Sequence, residues 1–445
     1  MRPWPAFESQ PKAPIFNTSG ILLFLARSQV DAFATVAAMR QRTHASCRIV
    51  LALLICFVVF RDIPICAGQD SAGKTLLKVN LFPYLPHGSN GFQQLTARIK
   101  QEFAKANPGV ELQLTLEDND SNNFYSLENY KKWLQEDYDV VEPDTLFLTA
   151  LVNAGLIDAW PDPDIANWPR PDKSAARVRG KTYAMPHWLC GYFIFTRNHT
   201  VAAAKDGDSL VAALAAADAA LTKITGNFKS TWDSPCLYLD CWEETYAPKD
   251  PSIAVSTNLD SEVIRELRQF AKQGESNGRN PCLDGTYKDN KKAAIQFANR
   301  QTEATFGFSE TLFYILSNAP NDGSVTIHSL NLGKAEHPLL FMDGFVLRRG
   351  LTEPQRRAAL RFVEYMEDPA TYRWIIMGED IAENRVPRYL IPAMNTAFQV
   401  EPIKSNSYYE VIFDTVQEAE PFPNDKVPEL HNDMSTEILT ELEKP

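Results

Sequence analysis

Apolar positions set out the first elements of the chain. Residues 76–81 form a short apolar run that predicts a strand. Leu95, Ile99 and Phe103 then recur four apart, on one face of a helix that Asn107-Pro108-Gly109 stops. Residues 110–116 alternate apolar and polar, which predicts a second strand. This strand–helix–strand opening predicts a parallel sheet with a helical crossover. Residues 138–141 predict a third strand, leading into Asp144-Thr145-Leu146-Phe147-Leu148 and a helix that ends near Gly155.

Further on comes the apolar run Tyr192-Phe193-Ile194-Phe195. Residues 211–221 predict an Ala-rich helix, and 261–273 a helix with Val263, Ile264, Leu267 and Phe270 at helical spacing. Short apolar strands follow at 304–308, opening on Ser309-Glu310, and at 345–347. Thr352-Glu353-Pro354-Gln355 has the cap, early proline and capping-box Gln of a helix start. Leu360, Phe362, Val363 and Met366 carry that helix to Asp368-Pro369. The Pro-rich stretches 160–171 and 421–428 read as surface connections. There is no internal repeat and no low-complexity segment. The chain beyond residue 69 is long enough for two packed lobes.

The N-terminal region reads as an address. An apolar stretch at 49–60 lies between Arg48 and Arg61, and Cys66-Ala67-Gly68 offers a small-residue exit. Twelve apolar residues are too few to span a bilayer, which takes roughly 20. Residues 1–68 are therefore expected to be a presequence with a signal peptide. Met39, ahead of Arg40 and Arg42, makes the better start, so 1–38 reads as an upstream extension. The competing reading is a membrane anchor within 15–38, where Arg27 and Asp31 are costly in hydrocarbon. Secretion without stable membrane association is expected.

Residues 1–68 hold seven basic and three acidic residues, which leaves 37 basic against 53 acidic beyond them, a net of −16. That acidity argues against nucleic acid and anionic membranes as partners. It does not oppose a cationic ligand. Its simplest use is solubility. Cys190, Cys236, Cys241 and Cys282 remain beyond the presequence. In an oxidising compartment they allow two disulfides, or one disulfide, a free nucleophile and a buried thiol. There is no CxxC pair and no His cluster, so no metal site of ordinary spacing is predicted. Asn119-Asp120-Ser121 and Asn198-His199-Thr200 match the three-residue glycosylation motif.

The candidate chemistry centres on Cys190. Gly180-Lys181-Thr182-Tyr183-Ala184-Met185-Pro186 followed by an aromatic strand resembles the crossover between lobes in bacterial extracellular solute-binding proteins, where ligand residues cluster. A binder needs no thiol there. Position alone leaves Cys190 open between a buried structural thiol and a nucleophile.

Six further strings, in order, resemble thiaminase I, a thiamine pyridinylase on the two-lobed type 2 periplasmic-binding fold. They are Leu77-Lys78-Val79-Asn80-Leu81-Phe82-Pro83-Tyr84-Leu85-Pro86, Tyr138-Asp139-Val140-Val141-Glu142-Pro143-Asp144, and Pro186-His187-Trp188-Leu189-Cys190. Pro235-Cys236-Leu237-Tyr238-Leu239-Asp240, Gly307-Phe308-Ser309-Glu310 and Phe341-Met342-Asp343 follow. The resemblance runs from about residue 76 to 445. It implies Cys190 as a nucleophile that adds to the pyrimidine ring, and Glu310 as the base. On residues alone, Glu310 could equally be a capping or solvated carboxylate. Asp144 and Asp343 match substrate-binding positions. Phe82, Tyr84, Phe308 and Phe341 match stacking positions, with plain core packing as the alternative for each Phe. Tyr130 matches another pocket tyrosine by loose spacing. The family mostly has Tyr at the three Phe positions; stacking survives that change and hydroxyl hydrogen bonds do not.

The implied activity is displacement of the thiazole of thiamine by an amine or thiol, without a cofactor. A thiol at its ordinary pKa is mostly protonated at neutral pH, so an adjacent base suits this chemistry. A secreted solute-binding protein for thiamine or another small cation, without catalysis, is the alternative. The expected lobes are 75–187 plus 345–385 and 188–342 plus 386–445, in a monomer that binds small molecules. Cys236 falls in a family string, and Cys241 and Cys282 match no family position. Cys241–Cys282 is therefore the expected disulfide, with Cys236–Cys282 as the second choice.

Overall fold

The computed structural model describes residues 73–117, 124–218, 221–382, 386–423 and 426–444. Residues 1–68, expected to be a presequence, and the glycosylation motif at Asn119 lie outside them. The first predicted strand lies inside the larger sheet, next to its edge. Thr75–Asn80 lies between Val110–Thr115 and Val140–Val141 and runs parallel to both. Leu77 and Val79 on it are wholly buried. Leu339–Arg348 pairs antiparallel with Val140–Val141 on one side and with Ala184–Cys190 on the other, and Ile391–Pro392 closes that edge. Two reversals restore direction, so Ala184–Cys190 runs the same way as Thr75–Asn80. The carboxyl ends of these strands therefore share one edge with the start of Leu339–Arg348.

A smaller sheet has the order Thr326–Ser329, Tyr192–Thr196, Thr302–Phe308, Thr222–Thr225. Thr302–Phe308 is parallel to Thr222–Thr225 and antiparallel to Tyr192–Thr196. The chain passes between the sheets at Gly191, the single residue separating their strands. It returns through 330–338. Two sheets with their own helices make a two-lobed α/β fold.

The crossing is tight. A Cβ at Gly191 would lie 2.3 Å from Leu340 Cδ2 and 3.5 Å from Leu339 O. Gly191→Ala is expected to destabilise the protein by about 1–3 kcal/mol, as overpacking of a filled core does. Chemical denaturation measures it, and an unchanged midpoint would contradict this packing.

Helices cover the sheets through the predicted stripes. Gln93–Ala106 buries Leu95, Ile99 and Phe103. Glu353–Met366 buries Phe362, Val363 and Met366, and its Phe362 ring lies 5.6 Å from that of Phe103. Its capping box forms, with Thr352 N donating to Gln355 Oε1 at 3.1 Å. Asp368 then caps a further helix, Pro369–Ile376. Ser261–Lys272 buries all four of its predicted residues. The helix expected at 211–221 instead spans Gly207–Ala216, because the Asp206 carboxylate accepts from Ser209 N at 2.7 Å and starts it early.

Helix Asp233–Tyr246 was not visible as a periodicity. Residues 234–244 are all buried, so no polar face marks it. Val427–Leu442 and Ser261–Lys272 pack on it.

Among the described residues no disulfide forms: Cys190, Cys236, Cys241 and Cys282 are all free thiols. The expected Cys241–Cys282 pair is thus corrected, along with its Cys236–Cys282 alternative. Cys241 Sγ donates to Leu332 O at 3.5 Å, and Cys282 Sγ to Ile224 O at 3.7 Å, so each is buried against a different carbonyl. Among the described residues no helix is long and apolar enough to cross a membrane.

Candidate functional site

Ligands of open α/β sheets bind outside the carboxyl ends of the strands. Phe82 and Tyr84 follow Thr75–Asn80, Asp144 follows Val140–Val141, and Cys190 ends its strand. In the smaller sheet Asn227 follows Thr222–Thr225 and Glu310 follows Thr302–Phe308. Tyr192 begins an antiparallel strand at that same edge. All of these residues line one cavity of about 430 Å³.

Eight of the nine residues singled out in the sequence line it: Phe82, Tyr84, Asp144, Cys190, Phe308, Glu310, Phe341 and Asp343. Tyr130 does not. It is wholly buried behind the wall, with its ring 5.0 Å from Phe147. Tyr125 lines the cavity instead.

Strand register gathers the acids around the thiol. Cys190 lies opposite Phe341, and Asp343 is two residues along the same strand, on the same face. Cys190 Sγ donates to Asp343 Oδ2 at 3.7 Å. An isolated bridge sets Asp144 opposite Asp343. Asp144 Oδ1 accepts from Leu146 N at 2.9 Å and caps the short turn Thr145–Phe147. Glu310 stands at the start of helix Thr311–Asn318, but its side chain makes no capping bond. Its Oε2 accepts from Ser309 Oγ at 3.5 Å. The thiol's direct partner is therefore Asp343, while Glu310 acts on it through charge.

Crowding moves these groups in one direction. Burial pushes Asp144 up to about 7. Burial pushes Glu310 up to about 7 as well, against the bond from Ser309. Burial, then the charges of Asp144 and Glu142, hold the Asp343 carboxyl well above the usual range. The Cys190 thiol is pushed up by burial and then by Asp343, Glu310 and Asp144, so it rests protonated.

Between the ordinary carboxyl range and about 7, the folded chain holds protons on Glu310 and Asp144 that the unfolded chain releases. Stability from these groups is full below the unfolded pKa and falls as pH rises toward 7. A lower unfolding temperature at pH 8 than at pH 6 is expected. Glu310→Gln or Asp144→Asn should flatten the difference, and an unflattened profile would contradict the assignment.

Aromatic rings form the remaining walls. Phe82 meets Tyr84 at 5.2 Å, Tyr84 meets Tyr125 at 5.6 Å, and Tyr125 meets Trp232 at 5.1 Å. Opposite them Tyr192 stacks on Phe308 at 4.7 Å, and the Phe341 ring meets Phe308 edge-on at 6.3 Å. Sequence reasoning missed Tyr125, Tyr192, Asn227, Ser230, Trp232 and Asp233, all of which line the cavity. One signal was available for Tyr192, which follows Cys190 by two residues at the crossing. Another was available for Asp233, which shortly precedes the Pro235-Cys236 string. Among the described residues no group of three His, Cys, Asp or Glu could hold a metal.

A cavity lined by four acids against one lysine, Lys288, and walled by rings suits a flat cation. A thiol among carboxylates adds a nucleophile with proton acceptors nearby.

The model of the bacterial extracellular solute-binding protein family matches residues 98–379. No curated protein sequence matches the chain. Among solved structures, Clostridium botulinum thiaminase I in complex with thiamin is similar at 16% identity and a TM-score of 0.67, covering 83% of this chain and 100% of that one. Thiaminase I from Bacillus thiaminolyticus is similar at 20% identity and a TM-score of 0.64, covering 82% and 99%. The sugar-binding protein MalE from Xanthomonas citri is similar at 12% identity and a TM-score of 0.64, covering 83% and 92%. Such identities speak for the fold. With more than half of its length matched by the family model, the chain belongs to the bacterial extracellular solute-binding protein family.

Proposed function

We propose that this protein is a thiamine-cleaving transferase in which Cys190 attacks the pyrimidine and an amine or thiol replaces the thiazole. The observation that carries the reading is the Cys190 thiol, 3.7 Å from Asp343 in a ring-walled cavity that Glu310 also lines. Thiamine, found with one of the structural relatives, is a flat cation of the kind that such a cavity suits.

In this reading the Cys190 proton passes to Glu310 and the sulfur bonds a pyrimidine ring carbon. The displaced ring electrons break the bond from the methylene to the thiazolium nitrogen. The bonding pair leaves with the thiazole, which becomes neutral. Glu310 then loses that first proton to water. The incoming amine bonds the methylene carbon and gives its surplus proton to the freed Glu310 carboxylate. The electrons return to the ring, the C–S bond breaks, and Glu310 passes the amine's proton to sulfur. One proton is released per turnover. Asp343 Oδ1 is buried without a protein donor, which suits an amino group of the pyrimidine. The acids balance the thiazolium charge, and Tyr84, Tyr192 and Phe308 offer ring faces. We extend the reading to secretion, to action as a monomer, and to the lobe boundaries 75–187 plus 345–385 and 188–342 plus 386–445.

A second reading is a binding protein for thiamine or another small cation. The protonated thiol, bonded to Asp343 rather than Glu310, favours it. Incubating the purified protein with thiamine and aniline separates the two. Catalysis releases free thiazole and an aniline adduct of the pyrimidine. A binder returns thiamine intact.

A further inference from the structure

We infer that Asp233 is a positioning residue that fixes the Tyr192 ring against Phe308 as one preformed face for the flat cationic ligand. Asp233 is the first residue of helix Asp233–Tyr246, where the helix dipole favours a carboxylate. Its two oxygens take three side-chain donors. Tyr192 Oη donates to Oδ1 at 2.8 Å, Asn227 Nδ2 to Oδ2 at 2.8 Å, and Ser230 Oγ to Oδ2 at 2.6 Å. Asp233 N in turn donates to Ser230 Oγ at 2.7 Å. All four residues line the cavity. Burial and the neighbouring carboxylate keep the Tyr192 phenol protonated, so the proton sits on the tyrosine side of this bond.

The ring so held is the cross-strand partner of Phe308, directly opposite it and stacked at 30°. Phe308 is two residues from Glu310. A tyrosine free to turn about χ1 would lose entropy on binding; one clamped by a carboxylate does not. With its hydroxyl committed to Asp233, Tyr192 offers the ligand its ring face. A carboxylate suits this position better than an amide, because an amide cannot accept three donors on two oxygens.

The inference rests on the proposed thiamine reading for its ligand, and its geometric part can be read without one. The experiment is a double-mutant cycle on Asp233→Asn and Tyr192→Phe, with Kd for thiamine by calorimetry and kcat under saturating thiamine and aniline. Asp233→Asn should raise Kd about tenfold and leave kcat within about threefold. Tyr192→Phe should raise Kd by less, and the double variant should bind no worse than Asp233→Asn alone. Additive effects, or a fall in kcat with Kd unchanged, would overturn the inference. A crystal structure of Asp233→Asn reads the geometry directly. The Tyr192 ring should leave its stack on Phe308, and an unmoved ring also overturns the inference. Should Asp233→Asn fail to fold, Ser230→Ala with Tyr192→Phe replaces it in the cycle. Failure of the unaltered protein to bind thiamine counts against the proposed function, and the crystal structure still decides on Asp233.

Discussion

Cys190→Ser is expected to keep the fold and lower thiamine cleavage by at least about 10³-fold in kcat. The exchange alters one atom at the end of a strand whose neighbours stay in place. Serine can still donate to Asp343, so the acids keep their hydrogen-bonded arrangement. The hydroxyl, however, has a far higher pKa than a thiol, and carboxylates that titrate near neutrality cannot remove its proton. Thiamine affinity should stay within a few-fold, because recognition falls to the rings and acids. Parallel calorimetry and turnover measurements check this. A serine variant that cleaves at the parent rate would remove sulfur from the mechanism.

Glu310→Gln should lower kcat by about 10²–10⁴-fold, the usual contribution of a positioned base. The pH profile gives an independent signature. Burial lifts Glu310 to about 7 in the free protein, and as the proposed base it must be ionised to accept the thiol proton. Activity should therefore fall as pH drops through about 7, and Asp144, also near 7, should steepen that limb in kcat/KM. Bound thiamine brings a positive charge among the acids, which favours their ionised forms. The limb in kcat should thus lie at lower pH than the limb in kcat/KM. In Glu310→Gln the residual rate should lose this dependence on Glu310, and an unchanged acid limb would assign it to other groups. Proton release on thiamine binding near pH 7, seen as buffer-dependent heat, follows from the same shift.

Much of this arrangement was legible in the residues. The stripe Leu95, Ile99, Phe103 and the capping box at Thr352 depend on local spacing, and both appear where expected. Strand ends fixed where Phe82, Asp144 and Glu310 would gather. Other features depend on long-range register. The bond from Cys190 to Asp343 arises because Phe341 stands opposite Cys190, and no local pattern encodes that pairing. Helix Asp233–Tyr246 is buried all round, so its period was silent, and with it went Trp232 and Asp233. Tyr125 precedes the short helix Leu127–Lys132 and Tyr130 lies within it, and spacing could not tell which lined the cavity. The cysteine count allowed disulfides; Cys236, Cys241 and Cys282 are instead buried free thiols, and Cys190 is a half-buried one in the cavity wall.

The central claim is that Cys190 carries the pyrimidine between the departing thiazole and the incoming amine. Initial rates of thiazole release over a grid of thiamine and aniline concentrations test it most directly. A covalent carrier that loses thiazole before aniline reacts gives parallel double-reciprocal lines, and that is the predicted result. Lines that intersect, or a protein that binds thiamine and releases no thiazole at any aniline concentration, would contradict the account.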